Sequence, residues 1–164
     1  MLLALSLQCC GVLPTAEPAP FGASDQSGSE ADVPWTFSAR EELGKACLRF
    51  HADLPAGRAM DRDAQRLSSS LNCQPLDTFD GGGMAMLVWT EIPGADLSFG
   101  YGLALVDKAE LRGVFADGHT VTFPVINGSF VVVFQTAQDM TKLQLRAGGK
   151  VMKTCHPRDV TRHC

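Results

Sequence analysis

The sequence predicts an all-β fold: an antiparallel β-sandwich or partly open barrel of about seven to eight strands, with one or two short helices. Two observations carry this expectation. Residues 111–134, LRGVFADGHTVTFPVINGSFVVVF, read as three antiparallel strands joined by Asp117-Gly118 and Asn127-Gly128, dipeptides that mark hairpin turns strongly. Short apolar runs recur on either side of that stretch, separated by turns that contain glycine and proline.

Side-chain pattern sets the register of the central stretch. A two-residue turn at Asn127-Gly128 places Val125 opposite Phe130, Phe123 opposite Val132 and Val121 opposite Phe134, all apolar and on one face. At Asp117-Gly118 a two-residue turn would set Phe123 against Arg112 and Val125 against Glu110. A three-residue loop Ala116-Asp117-Gly118, with Gly118 left-handed as a bulge, pairs Val121 with Gly113 and Phe123 with Leu111, and adds Phe115 to the apolar face. Pro124 has no N–H to give to Val131, so the ladder is expected to break there.

Taken in order, residues 1–16 open on MLLALSLQCCGVL, an apolar stretch too short to span a bilayer. It resembles the hydrophobic region of a secretory signal without its basic leader. Cys9 and Cys10 are candidates for lipidation, which would attach the chain to a membrane through its N-terminus; cleavage near Ala16 is the alternative. Residues 17–34 are rich in Pro, Ala, Ser, Gly and acids, and are expected to form a disordered linker.

Residues 35–155 are expected to be the β-domain. Ser38-Ala39-Arg40-Glu41 fits a capping box, which predicts a helical turn over 39–43 ended by Gly44. Lys45 to His51 alternates as a half-buried strand. Met60, Ala64, Leu67 and Leu71 fall at helical spacing, which predicts a short helix within a long connection. Met84 to Ile92 is a continuous apolar strand, and Leu97 to Leu103 returns with Leu97, Phe99, Tyr101 and Leu103 on one side. Thr141 to Ala147 and Lys150 to Cys155, joined by Gly148-Gly149, close the set, and residues 156–164 form a basic tail.

The run ADGHTVTFPVINGSFVVV (116–133), with the upstream strand CLRF (47–50) and a second cysteine before the next strand, resembles small extracytoplasmic β-domains of bacterial secreted or membrane-anchored proteins. The resemblance extends from about Ala46 to Cys155 and consists of strands and turns. It implies a fold and a compartment and transfers no catalytic residue.

Cysteine usage points the same way. Six cysteines without metal-binding spacing favour disulfides in an exported chain, here Cys47–Cys73 and Cys155–Cys164; in a cytosolic protein all would be reduced. Cys155, His156, His163 and Cys164 are chemically suitable zinc ligands, but each histidine adjoins its cysteine, so the disulfide reading is preferred and no metal or cofactor is expected. Gly81-Gly82-Gly83 lacks the Lys-Ser/Thr of a phosphate loop, and Asn127-Gly128-Ser129 is better read as a turn than as a glycosylation acceptor. His51 and His119 are expected to face water, Asp77 and Asp80 to be solvated loop carboxylates, and Trp35 and Trp89 to pack in or at the rim of the core.

A net charge of −4 argues against generic nucleic-acid binding. The basic residues Lys142, Arg146, Lys150, Lys153, Arg158 and Arg162 form a basic end that either touches anionic lipid or cell-wall polymer or is simply a solvated strand face. Together these features predict a non-catalytic, extracytoplasmic β-domain, secreted or anchored to the bacterial envelope, whose partner is an envelope protein or polymer. The competing reading is an envelope enzyme or metal-binding protein with a loop-built site around Asp77, His119 and the C-terminal Cys/His group. Several polar groups converging in one concavity would favour this competing reading, and a flat surface the first.

Overall fold

The computed structural model describes residues 22–55, 68–79, 83–92 and 94–157. These residues form twelve strands: β1 (Ser24–Glu30), β2 (Val33–Glu42), β3 (Lys45–Ala52), β4 (Ser69–Pro75), β5 (Met84–Glu91), β6 (Leu97–Ala104), β7 (Glu110–Phe115), β8 (Thr120–Phe123), β9 (Val125–Ile126), β10 (Ser129–Gln135), β11 (Met140–Ala147) and β12 (Lys150–Cys155). They make three four-stranded sheets, ordered β1-β2-β3-β4, β5-β6-β10-β9 and β12-β11-β7-β8. The all-β class is as expected, but the single sandwich or barrel of seven to eight strands is replaced by three separate antiparallel sheets.

The middle sheet requires this arrangement because it is apolar on both faces. Leu97, Phe99, Tyr101 and Leu103 of β6 and Val131 of β10 share one core with Phe37, Ala39, Leu48 and Phe50 of the first sheet. Phe50 stacks on Tyr101 with ring centroids 4.8 Å apart. The opposite face of β10, Phe130, Val132 and Phe134, shares a second core with Leu111 and Phe115 of β7 and Leu143 and Leu145 of β11. Burying each large side chain contributes roughly 1.5–3 kcal/mol, so a sheet with two apolar faces is stable only between two covering layers.

The central register holds at both turns. Val125 pairs with Phe130 across Asn127-Gly128, and Leu111 pairs with Phe123 and Gly113 with Val121 across the bulged loop. Gly118 is left-handed there, with φ of 87°. The pairs Phe123–Val132 and Val121–Phe134, however, do not form. The ladder breaks at Pro124, as expected, and the chain changes sheets: β8 pairs with β7 in the third sheet, while β9 pairs with β10 in the middle one. Phe123 and Val132 instead belong, from different sheets, to the second core.

Three other expectations are corrected. The linker assigned to residues 17–34 contains β1 and the start of β2, a hairpin turned by Ala31 and Asp32 at φ of 47° and 63°. β1 is polar and largely exposed, so main-chain pairing to β2 holds it rather than apolar burial. The helical turn at 39–43 is strand: Phe37 and Ala39 are buried at period two, and the turn comes at Leu43-Gly44. Leu71, assigned to a helix, lies in β4; Met60, Ala64 and Leu67 are outside the described residues. The short helices found among the described residues are 3-10 turns, Leu76–Thr78 and Thr136–Gln138.

Candidate functional site

Alternation in the first sheet sends odd residues of β2 and even residues of β3 into the core. The opposite set lies on the outer side: Thr36, Ser38 and Arg40 from β2, and Arg49 and His51 from β3, with Cys47 on the same side of β3 but buried. Pairing lines these side chains up across all four strands. Ser27, Thr36, His51 and Ser69 form one row, and Asp25, Ser38, Arg49 and Leu71 form the next. These residues line an open concavity of about 630 Å³.

Three acid–base side-chain pairs lie on this face. Arg40 ion-pairs with Asp25 and donates from Nη1 to the Ser24 and Ala39 carbonyls, each at 3.0 Å. Arg49 Nη2 lies 3.5 Å from Glu42 Oε1, and His51 Nε2 lies 3.1 Å from Asp53 Oδ1. The Ser27, Thr36, Ser38 and Ser69 hydroxyls have no hydrogen-bond partner among the described residues. The arrangement can therefore offer donors, acceptors and two-way hydroxyls to a ligand without breaking internal bonds.

Beside this concavity, in the row continued by Arg40, Cys47 and Cys73 are directly opposed and joined by a disulfide with Cα atoms 4.1 Å apart. The bridge expected from the sequence is formed, and it ties neighbouring strands β3 and β4. Cys155, at the end of β12, is also disulfide-bonded. Its expected partner Cys164, along with His163, Cys9, Cys10, Asp80, Arg158 and Arg162, lies outside the described residues. A bridged Cys155 sulfur is not a thiolate, which removes it as a zinc ligand.

Among the described residues no group of three or more His, Cys, Asp or Glu is placed to hold a metal, and His163 and Cys164 of the loop-built alternative lie outside them. Asp77 lies in the 3-10 turn after β4, while His119 lies in the β7–β8 turn of the third sheet. His119 stacks flat on Phe115, with centroids 4.2 Å apart. Its backbone N–H donates to Asp117 Oδ1 at 3.0 Å, and its ring nitrogen Nδ1 contacts the same oxygen. The backbone bond and then the side-chain bond hold the Asp117 carboxyl below its ordinary range. These contacts make a turn-stabilising unit.

The remaining sequence candidates are structural. Trp35 packs edge-on to Phe99 at 6.2 Å, and Trp89 to Phe134 at 6.1 Å. Asn127 Nδ2 donates to the Ala23 carbonyl and holds the start of β1, while Ser129 Oγ donates to the Ile126 carbonyl. The basic residues of the C-terminal hairpin are dispersed: Lys142 and Arg146 face outward from β11, whereas Lys153 Nζ reaches the Met84 carbonyl at 3.4 Å. No helix among the described residues is long and apolar enough to cross a membrane, which leaves strands aside.

The concavity is not legible in the sequence because its residues come from four strands, three of which (β1, β2 and β4) carry a pattern that reads wholly or partly as linker or helix. The only local signal was the alternation TFSAR against RFHA, in which every second residue is polar. No family model, curated protein or solved structure matches the chain.

Proposed function

We propose that this chain is an exported, non-catalytic β-domain that acts as an envelope-associated interaction module and recognises its partner through the outer face of the first sheet. One observation carries the recognition surface: an open concavity runs across all four strands, lined from regular paired strands rather than from converging loops, and its Ser27, Thr36, Ser38 and Ser69 hydroxyls have no hydrogen-bond partner among the described residues. The Cys47–Cys73 bridge supports export, since disulfides persist in oxidising compartments and are rare in the cytosol. The apolar segment before residue 16 supports it as well, as a signal or lipid-attachment site at Cys9 or Cys10.

Two measurements test this. The intact mass of the protein recovered from its native cells, before and after reduction, should report a shortened or lipidated chain with disulfides in the envelope or secreted fraction. A full-length, fully reduced chain in the cytosol would defeat export. For the surface, a photo-crosslinking residue at position 38 should trap a product that the same residue at Gln144, on the third sheet, does not. Identical products from both positions, or none from either, would refute recognition by the first sheet.

A further inference from the structure

We infer that the concavity of the first sheet binds a linear, uncharged glycan laid across its strands, an inference that rests on the concavity being the recognition surface. Adjacent strands are about 4.8 Å apart. Each of the two rows therefore presents one side chain at roughly that interval, close to the length of one hexose unit in an extended chain. Sugar hydroxyls both donate and accept, and the groups that match them are hydroxyls. Ser27, Thr36 and Ser69 supply these in one row and Ser38 in the next.

Charge selects against an ionic ligand. Arg40, Lys45 and Arg49 on this face are matched in number by Asp25, Glu42 and Asp53, so it carries no excess of either sign. A polyanion would require an excess of cations. An extended peptide would use the main chain of a sheet edge rather than side chains across its face. Leu71, 55% exposed at the end of the second row, offers an apolar surface to the C–H face of a ring. The first sheet's aromatic side chains, Trp35, Phe37 and Phe50, pack toward the core, so the face lacks a stacking platform. Binding then depends on several sugar units engaging successive strands, and a monosaccharide is held poorly.

The experiment titrates the full, oxidised, isotope-labelled chain with cellohexaose and with chitohexaose, following backbone amide shifts. Expected are saturable shifts at Thr36, Ser38, Arg49, His51 and Ser69, unchanged by added salt and far weaker with glucose. Thr36→Val with Ser38→Ala should weaken binding about five-fold for each hydrogen bond lost. Lys142→Gln with Arg146→Gln, on the third sheet, should leave it unchanged. The amide spectrum of each variant verifies its fold. Absence of shifts with both hexamers at millimolar concentration, or shifts confined to the third sheet, overturns the inference. So does a stronger, salt-sensitive response to inorganic polyphosphate. A peptide that shifts the same amides when neither glycan does would also overturn it, while sparing the concavity as a recognition surface.

Discussion

Trp89 of β5 lies across Gly100, its partner on β6, so closely that a Cβ on Gly100 would come within 2.3 Å of the indole. The ring fills the space a side chain would take and turns its edge to Phe134, joining the middle sheet to the second core. Gly100→Ala forces the indole to move within a packed layer, and overpacking of this kind costs about 1–3 kcal/mol. Urea unfolding should show that loss together with a red shift in tryptophan emission. A midpoint equal to that of the wild type would mean the ring relocates freely.

Turn chemistry made much of the middle of the chain legible. Asn127-Gly128 and the bulged Asp117-Gly118 loop fixed the register on either side of them, and alternation on β6 identified Leu97, Phe99, Tyr101 and Leu103 as one buried row. Layering was not legible, because one proline decides it. Pro124 breaks the ladder, but whether the chain resumes in the same sheet depends on partners far away in sequence. β1 was hidden for a different reason: its sequence SDQSGSE has no apolar residue, so nothing marks it until β2 offers an edge. Its turn, Ala31-Asp32, also lacks the usual glycine. Cys47–Cys73 could be paired in advance because both flank one long connection.

That bridge closes a sequence separation of 26 residues. Constraining the unfolded chain to this extent stabilises by about 3–4 kcal/mol in the chain-entropy model. Cys47→Ala with Cys73→Ala should lower unfolding free energy by that order under oxidising conditions. Wild type treated with a reductant should approach the double variant's stability to within what reduction at Cys155 adds. If the oxidised double variant unfolds at the wild-type midpoint, the bridge contributes no stability.

Leu43 is fully exposed at the β2–β3 turn and adopts φ of 52°, a left-handed conformation in which a leucine Cβ crowds the backbone. It gives up that strain energy without burying any surface. Leu43→Asn keeps the turn and tolerates the conformation better, so thermal unfolding should move upward, by up to about 1 kcal/mol. A destabilised variant would reveal a contact that the exposed side chain makes in solution.

Tyr101 is the only tyrosine in the chain, so phenol absorbance reports on one buried group. Its hydroxyl is hydrogen-bonded to that of Ser70, across the layers of the first core. Burial raises its pKa above the ordinary 10.0, outweighing the opposing effect of the Ser70 bond. The folded chain therefore holds the phenol proton to higher pH than the unfolded chain does. The stability linked to this group is complete below pH 10.0 and is lost as pH rises through the higher folded value. A pH titration of folded protein should show phenolate appearing above that of free tyrosine and together with loss of the folded amide spectrum. Tyr101→Phe should remove the titration, keep the stack on Phe50, and cost about 1 kcal/mol by leaving the Ser70 hydroxyl without its partner. A phenolate transition at the ordinary value, with the protein still folded, would place Tyr101 in contact with water and contradict the closed first core.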